Sequence, residues 1–170
     1  LEKQYRYLKK NKRVDVLGGQ AIFIDSDGNK LDFEHKYPIS NELIKWELFR
    51  EVPLCHPSVM FRKYILNKVG TYNEGFRYAQ DFELWKRIAN YGYRFSNLED
   101  KIIYYRRLNS GNFSAKKTEQ KKAHIKILSD SFKSFNPMLS TRLVYYYYYG
   151  QKKPLKNKHL LIGGVKLLIE

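Results

Sequence analysis

The sequence has little cysteine. Cys55 is the one cysteine among 170 residues, so the chain cannot form an internal disulfide or a cysteine-based metal site. This usage is typical of a reducing compartment. A lone cysteine is more often a small buried apolar side chain than a nucleophile, and we interpret Cys55 in that way. We therefore do not expect cysteine chemistry to carry the function.

Long apolar runs are also missing. A helix needs about 20 consecutive apolar residues to cross a bilayer, and the apolar end of the chain, at 160–169, is too short. The first residues, 1–6, do not resemble a signal peptide. They start without methionine and inside a helical pattern, which predicts that further residues precede them. We expect a cytoplasmic protein that is soluble or peripheral on the inner face of the membrane.

Acidic residues are few in comparison with basic ones. The chain has 17 Asp and Glu against 32 Lys and Arg, which gives a net charge of +15. Such a field favours polyanions, phosphorylated ligands or an anionic membrane surface. A basic nucleic-acid-binding module is one alternative that fits this charge, but the sequence has neither a Gly-flanked aromatic strand motif nor a zinc-ligand spacing. We therefore expect no nucleic acid among the partners.

Hydrophobic periodicity predicts an α/β fold around one core, since 170 residues with 43% hydrophobic content can bury one substantial core. Predicted strands cover residues 14–24, 58–61 and 102–105. Predicted helices cover residues 1–8, 41–50, 63–69 and 81–92, with Asn41 as the N-cap of the second and Gly70, in a left-handed conformation, at the end of the third. Two more lie on either side of Pro137, the first with an apolar stripe over 125–135 and the second with tyrosines at 145–149. Turn residues at 25–28 predict that the first strand returns as a hairpin.

Three segments follow one another in a recognisable order: HPSVMFRK at 56–63, VGTYNEGF at 69–76 and AQDFELWKR at 79–87. This series resembles the second half of family 2 glycosyltransferases, in which an apolar strand ending in Arg, a Gly-containing loop and an acidic residue opening a helix follow one another. VDVLGG at 14–19 also looks like the strand that in this family follows the metal-binding Asp-x-Asp and its helix. The resemblance spans roughly residues 1 to 110.

The resemblance implies a partial GT-A fold, which is Rossmann-like, with a mixed sheet, flanking helices and a helical C-terminal extension. Residues 1–110 correspond to the acceptor-side part of the domain, and residues 111–170 form the basic helical extension. The resemblance also implies that the nucleotide-binding half is absent from the chain. We therefore expect the chain to be inactive by itself, and we expect the apolar surface left without that half to favour self-association.

Asp81 is the candidate catalytic residue. In an inverting transfer the acceptor hydroxyl loses its proton as it attacks the anomeric carbon, and a carboxylate placed at that hydroxyl can accept the proton. The resemblance assigns this role to Asp81, as the second of two neighbouring acids, while Gln80 replaces the first. The alternative is that Asp81 is an N-cap whose carboxylate accepts backbone N–H groups.

Four further residues are candidates for substrate binding. His56 and Gln80 are polar groups within the series, Arg62 ends the second strand and can face a phosphate, and Trp85 lies one helical turn after Asp81, where its indole can stack on a sugar. Each has a structural alternative: His56 and Arg62 are more often structural or solvated at such positions, and Trp85 is equally well a core residue.

No metal site is expected within the chain. Asp25-Ser26-Asp27 has the spacing of a metal-binding Asp-x-Asp, but its flanking residues mark it as a hairpin turn. Leu108 occupies the place where the family segment often carries a histidine near the nucleotide. A divalent Mg or Mn ion is therefore expected in the full-length enzyme only, with none bound by this chain.

The sequence as a whole predicts the acceptor-binding and general-base part of an inverting glycosyltransferase. The full enzyme would move a sugar from a nucleotide-sugar donor to a glycan or lipid-linked acceptor in cell-surface polysaccharide synthesis. The basic, tyrosine-rich region from Arg142 onward fits contact with an anionic membrane equally well as a helix that packs on the domain. The alternative is a basic nucleic-acid-binding or membrane-surface module without catalysis.

Overall fold

The structure is a computed structural model that describes residues 1–107, 113–135, 159–162 and 165–168, with side chains described for 1–107 and 118–132. The chain divides into two compact units, Leu1–Lys117 and Thr118–Glu170. Within the described residues, no helix is both long enough and apolar enough to cross a membrane.

The first unit alternates helices and strands along the chain. Its elements are α1 (Glu2–Lys10), β1 (Val16–Ile24), α2 (Asn41–Glu47), a 3-10 turn (His56–Ser58), β2 (Met60–Phe61), α3 (Tyr64–Val69), α4 (Gln80–Asn90) and β3 (Phe95–Arg106). The helices and strands predicted for this part of the sequence are present, except for the return strand of the hairpin after residues 25–28, and the α/β class is confirmed.

A three-stranded mixed sheet forms the centre of this unit, with strand order β2-β1-β3. Strand β1 pairs antiparallel with β2 and parallel with β3, so that Val16 lies between Phe61 and Phe95. Strand β3 begins at Phe95, earlier than predicted. The prediction missed its first half because polar residues there are buried and hydrogen-bonded: the Asn97 amide donates to the carbonyls of Pro38 and Pro53 at 2.7 and 3.0 Å. Its sequence therefore lacks the apolar pattern that marks its second half.

Buried side chains along β1 build the core. Leu17 packs with Leu8 of α1 and Leu98 of β3, and Phe23 packs with Ala21 and Cys55. Cys55 is 1% exposed, which confirms its interpretation as a buried apolar residue. Burying each such large aliphatic or aromatic side chain contributes about 1.5–3 kcal/mol.

Two glycines in the middle of β1 allow the strands to approach closely. A Cβ atom on Gly18 would lie 2.1 Å from Oδ1 of Asn97, and one on Gly19 would lie 2.6 Å from Cδ1 of Ile102. Real Cβ atoms do not approach neighbours so closely, so neither position accepts a side chain unless Asn97 or Ile102 of β3 moves. The interruption of this apolar strand by two glycines is thereby explained.

The N-cap of α2 lies one residue earlier than the sequence predicts. The N-cap is Ser40, whose hydroxyl accepts the N–H of Leu43 at 3.3 Å. The predicted cap, Asn41, instead accepts the N–H of Phe95 through its side-chain oxygen at 3.0 Å. The prediction was wrong because a tertiary contact with β3 uses the Asn41 side chain.

The turn after β1 forms as predicted, but the return strand does not. Oδ1 of Asp25 accepts the N–H groups of Asp27 and Asn29 at 2.9 and 2.8 Å, and a single bridge joins Ile24 to Lys30. Among the described residues the ladder stops there. The chain turns away because Gln20 pairs with the backbone of Tyr37, accepting its N–H at 2.9 Å and donating to its carbonyl at 3.0 Å.

The second unit contains most of α5 (Phe113–Phe135) and a hairpin of β4 (His159–Ile162) and β5 (Val165–Leu168). The predicted apolar helix is confirmed, with Ile125 and Leu128 buried. The hairpin is antiparallel and was not predicted, because a short apolar run carries no strand periodicity. The predicted helix with the tyrosine run at 145–149 lies outside the described residues.

Candidate functional site

Asp81 is the second residue of α4. Its Oδ1 accepts the backbone N–H of the next residue, Phe82, at 2.8 Å. The N-cap position is occupied by Ala79, which has no capping side chain, so Asp81 is not the N-cap that the structural alternative proposed. In the part of the chain that the structure describes, Oδ2 has no hydrogen-bond partner. Asp81 is half-buried, and one of its carboxylate oxygens is held by the backbone.

The backbone turns sharply into α4. Ala79 has a φ of 60°, and among the described residues it is the one non-glycine with positive φ. A left-handed conformation costs a residue with a side chain about 1–2 kcal/mol, so the surrounding structure must hold it in place. Gln80 contributes to this, since its side-chain amide donates to the carbonyl of Arg77 at 2.8 Å. Gln80 therefore braces the preceding loop in this structure.

Aromatic rings surround the start of α4. The ring centroid of His56 lies 6.0 Å from that of Tyr72, nearly perpendicular to it, and 5.9 Å from that of Trp85. Trp85 follows Asp81 by one helical turn. Burial raises the pKa of Tyr72, and the negative charge of Asp81 raises it further, which places the phenol within electrostatic reach of the carboxylate. The structure thus brings His56, Trp85 and Asp81 together, as the sequence predicts, and adds Tyr72.

Trp85 is a core residue in this structure. It is 0% exposed, and its ring lies 6.1 Å from that of Phe61. Neither face of the indole is open to a sugar, so the predicted stacking on an acceptor does not occur in this arrangement, and the core alternative describes Trp85. Its contribution to the site is to pack beneath the exposed His56.

The Arg62 side chain binds backbone carbonyls of the fold rather than facing a ligand phosphate. Its guanidinium donates to the carbonyls of Leu8 and Asn11, at the end of α1, and to that of Val14, at 2.8, 3.3 and 2.9 Å respectively. Successive side chains of a strand point to opposite faces, so Phe61 lies against Trp85 while Arg62 reaches α1. A cation also interacts favourably with the C-terminus of a helix. The prediction that Arg62 binds substrate is corrected in favour of its structural alternative.

Arg87 and Glu83 form a connection that the sequence analysis missed. Two parallel hydrogen bonds join them, at 2.8 and 2.7 Å, across one turn of α4. The same guanidinium donates to the carbonyl of Thr71 at 2.8 Å and to that of Val69. The i, i+4 spacing of Glu83 and Arg87 was the available signal, but nothing in the sequence indicated the carbonyls.

Lys86 is a buried, charged side chain whose position was not predicted from the sequence. The residue is 7% exposed, its Nζ donates to the carbonyl of Leu48 at 3.0 Å, and the rings of Phe49 and Phe82 lie 4.9 and 5.8 Å from that nitrogen. Burial lowers the pKa of Lys86 to about 8. Its neighbours in sequence gave no signal of this burial, because a lysine on a helix is usually solvated.

The metal-ligating residue types are dispersed. The described residues include no group of three or more His, Cys, Asp or Glu side chains placed to hold an ion. The Asp25 carboxylate is engaged with its own turn, and Arg106 donates to the carbonyls of Asp25 and Ser26. Asp25 and Asp27 are thus turn residues, as the sequence predicts.

Known proteins resemble the chain over much of its length, although no protein-family model matches it. It is 35% identical over 123 residues, 71% of its length, to MJ1057 of Methanocaldococcus jannaschii, an uncharacterized glycosyltransferase. It is 34% identical over 108 residues, 62% of its length, to the O-antigen biosynthesis glycosyltransferase WbnJ of Escherichia coli. It is 32% identical over 105 residues, again 62%, to the amylovoran biosynthesis glycosyltransferase AmsE of Erwinia amylovora.

The matched region is only part of each relative: it covers 41%, 41% and 38% of their lengths respectively. The resemblance to glycosyltransferases predicted from the ordered motifs is confirmed by these matches. The three-stranded mixed sheet with flanking helices is likewise compatible with part of a Rossmann-like glycosyltransferase fold.

Proposed function

This chain is homologous to part of the glycosyltransferases, and on that premise we propose that it forms the acceptor-binding and general-base part of an inverting enzyme. The observation that carries the proposal is the state of Asp81. One carboxylate oxygen is fixed by the N–H of Phe82, and the other has no hydrogen-bond partner among the described residues. A base needs this combination of fixed orientation and an available lone pair.

In the proposed reaction Asp81 accepts the proton of an acceptor hydroxyl through its second oxygen. The hydroxyl oxygen forms a bond to the anomeric carbon of the donor sugar as the bond from that carbon to the nucleoside diphosphate breaks. Attack from the side opposite the leaving group inverts the anomeric configuration. The proton remains on Asp81 until it passes to solvent, and the nucleoside diphosphate leaves with the bonding electron pair.

The nucleotide and its divalent metal ion, Mg or Mn, belong in this proposal to other parts of the full-length enzyme. There the ion would stabilise charge on the leaving diphosphate, which is the chemistry such an ion supplies. The described residues of this chain offer no ligand cluster for it, and their contribution is to the acceptor. On its own the chain would therefore not transfer sugar.

The relatives suggest the biological setting. WbnJ and AmsE are named for the biosynthesis of O-antigen and amylovoran. By analogy, we assign this protein a glycan or lipid-linked acceptor in cell-surface polysaccharide synthesis. The net charge of +15 fits a peripheral position on the anionic cytoplasmic face of a membrane.

The experiment that tests the proposed function is an assay of sugar transfer by the intact protein that contains this chain. UDP-, GDP- and dTDP-hexoses serve as donors and p-nitrophenyl glycosides as acceptors. Transfer by the wild-type protein and its loss in Asp81→Asn support the proposal, and the absence of transfer from every donor overturns it.

A further inference from the structure

Tyr72 lies within electrostatic reach of the candidate base Asp81, and much of its ring is uncovered. It is 42% exposed, although it packs edge-on against His56, whose own ring rests on the buried Trp85. An exposed aromatic ring held by a second ring has a defined orientation and an open face. Such faces bind the C–H surface of sugars, because they remove apolar area from water at little cost in side-chain entropy.

Tyr72 and Asp81 interact through space without bonding to each other. The charge of Asp81 acts on the Tyr72 phenol, yet among the described residues no hydrogen bond joins the two side chains. A phenol is both a donor and an acceptor, and a carboxylate is an acceptor. The two groups together therefore match an alcohol, whose hydroxyl donates to the carboxylate while its carbon skeleton lies against the ring.

Arg87 fixes the backbone immediately before Tyr72. It donates to the carbonyls of Thr71 and Val69 and is itself held by the two hydrogen bonds to Glu83. These bonds use four of the five N–H groups of the guanidinium. The loop from Thr71 to Gly75 is otherwise exposed, so this contact is the connection that anchors its start.

The anchor and the candidate base belong to the same helix. Asp81 lies in the first turn of α4 and Arg87 in its last turn, so one rigid element determines both the position of the carboxylate and that of the Thr71 carbonyl. From this arrangement we infer that Tyr72 forms the wall of the Asp81 site that contacts the acceptor sugar, and that Arg87 is the positioning residue that holds this wall.

This inference rests on the proposed function and names two residues that the ordered motifs do not assign. The direct test is Tyr72→Ala in the intact protein, assayed with the same donors and p-nitrophenyl glycosides. The acceptor KM rises about fivefold to tenfold, as expected for the loss of one aromatic contact. The donor KM and the slow hydrolysis of the donor without acceptor stay within about twofold, because neither the donor nor water depends on the contact between Tyr72 and an acceptor sugar. An unchanged acceptor KM overturns the inference.

The role of Arg87 is tested by Arg87→Lys, because an ammonium cannot reproduce the planar fork. The acceptor KM rises severalfold in the single variant. In the Tyr72→Ala background the same change has no further effect on acceptor KM, because the wall is already lost. Additive effects in the double variant contradict a role through Tyr72. Arg6→Lys is the matched control: Arg6 pairs with Glu2 at the same i, i+4 spacing on the exposed α1 and should leave every kinetic constant unchanged.

The failure of this inference and the failure of the proposed function give different results. If Asp81→Asn retains turnover while Tyr72→Ala raises the acceptor KM, the wall is supported and the base is rejected. If Asp81→Asn loses turnover while Tyr72→Ala keeps its acceptor KM, the wall is rejected alone. A wild-type protein that transfers sugar to none of the glycosides overturns both.

Discussion

The Nζ atom of Lys86 donates to the carbonyl of Leu48 at 3.0 Å, at the residue that caps the C-terminus of α2. A buried ammonium thus satisfies the end of a neighbouring helix, with the rings of Phe49 and Phe82 beside it. The position is favourable for a cation, but burial opposes its charge and lowers the pKa of Lys86 from 10.5 to about 8.

This burial predicts a specific dependence of stability on pH. Below pH 8 both the folded and the unfolded chain hold the Lys86 proton, and the folded state carries the full cost of a buried charge. Between pH 8 and 10.5 the unfolded chain holds a proton that the folded chain has released, so the free energy of unfolding rises with pH. Relative to Lys86→Met, the wild type should gain at most about 3 kcal/mol over this window. Urea denaturation of both chains at pH 7.5 and 10.5 measures the difference, and a difference that does not change with pH contradicts it.

Gly18 should not accept a side chain. Its Cβ would lie 2.1 Å from Oδ1 of Asn97, whose amide is committed to two backbone carbonyls. Gly18→Ala should therefore lower the free energy of unfolding by about 1–3 kcal/mol. Gly75→Ala, in an exposed loop, is the control and should change it by less than about 0.5 kcal/mol. Equal denaturation midpoints for the two variants would show that the neighbouring side chains make room for the added methyl group without loss of stability, and would contradict the prediction.

Ser58 connects the His56 turn to the sheet. Its buried hydroxyl accepts the N–H of Gly19 at 3.0 Å and donates to the carbonyl of Cys55 at 2.7 Å. Ser58→Ala leaves the Gly19 N–H buried without this acceptor and should cost about 1–3 kcal/mol. Thermal denaturation measures the loss against Ser26→Ala, an exposed control. A melting temperature equal to that of the control would contradict the connection.

Arg62 provides a test of a corrected prediction. Its guanidinium donates hydrogen bonds to three backbone carbonyls near the end of α1. Lysine cannot contact all three with the same geometry. Arg62→Lys should lower the free energy of unfolding by about 1–2 kcal/mol while leaving the acceptor KM of the intact protein unchanged. A rise in acceptor KM without loss of stability would restore Arg62 to the substrate site.

Local signals in the sequence were sufficient for most of the fold. Apolar periodicity and Gly70, which has the predicted positive φ of 80° at the end of α3, located the helices and strands of the first unit. The same signals failed where a distant partner decides the structure. Asn41 has the side chain of an N-cap, but that side chain accepts the N–H of Phe95 in β3. The residues after the 25–28 turn have strand alternation, but the hydrogen bond between Gln20 and the backbone of Tyr37 draws the chain away from β1.

The candidate site was predictable to a similar extent. Ordered motifs located Asp81, His56 and Trp85 near one another because they depend on chain order and helical spacing. Whether an indole is exposed depends on the elements that pack against it, so the burial of Trp85 could not be predicted. The carbonyls that bind Arg62 and Arg87 are backbone atoms without a sequence signature, so the structural roles of these two arginines could not be predicted.

The central claim is that Asp81 takes the proton of the acceptor. Turnover of the intact protein should be measured at saturating donor and acceptor for the wild type, Asp81→Asn and the exposed turn control Asp27→Asn. Asparagine cannot accept the proton, so kcat for transfer should fall about 100-fold or more in Asp81→Asn, with the melting temperature retained, and should stay at the wild-type value in Asp27→Asn. A folded Asp81→Asn protein with near-normal kcat would contradict the account.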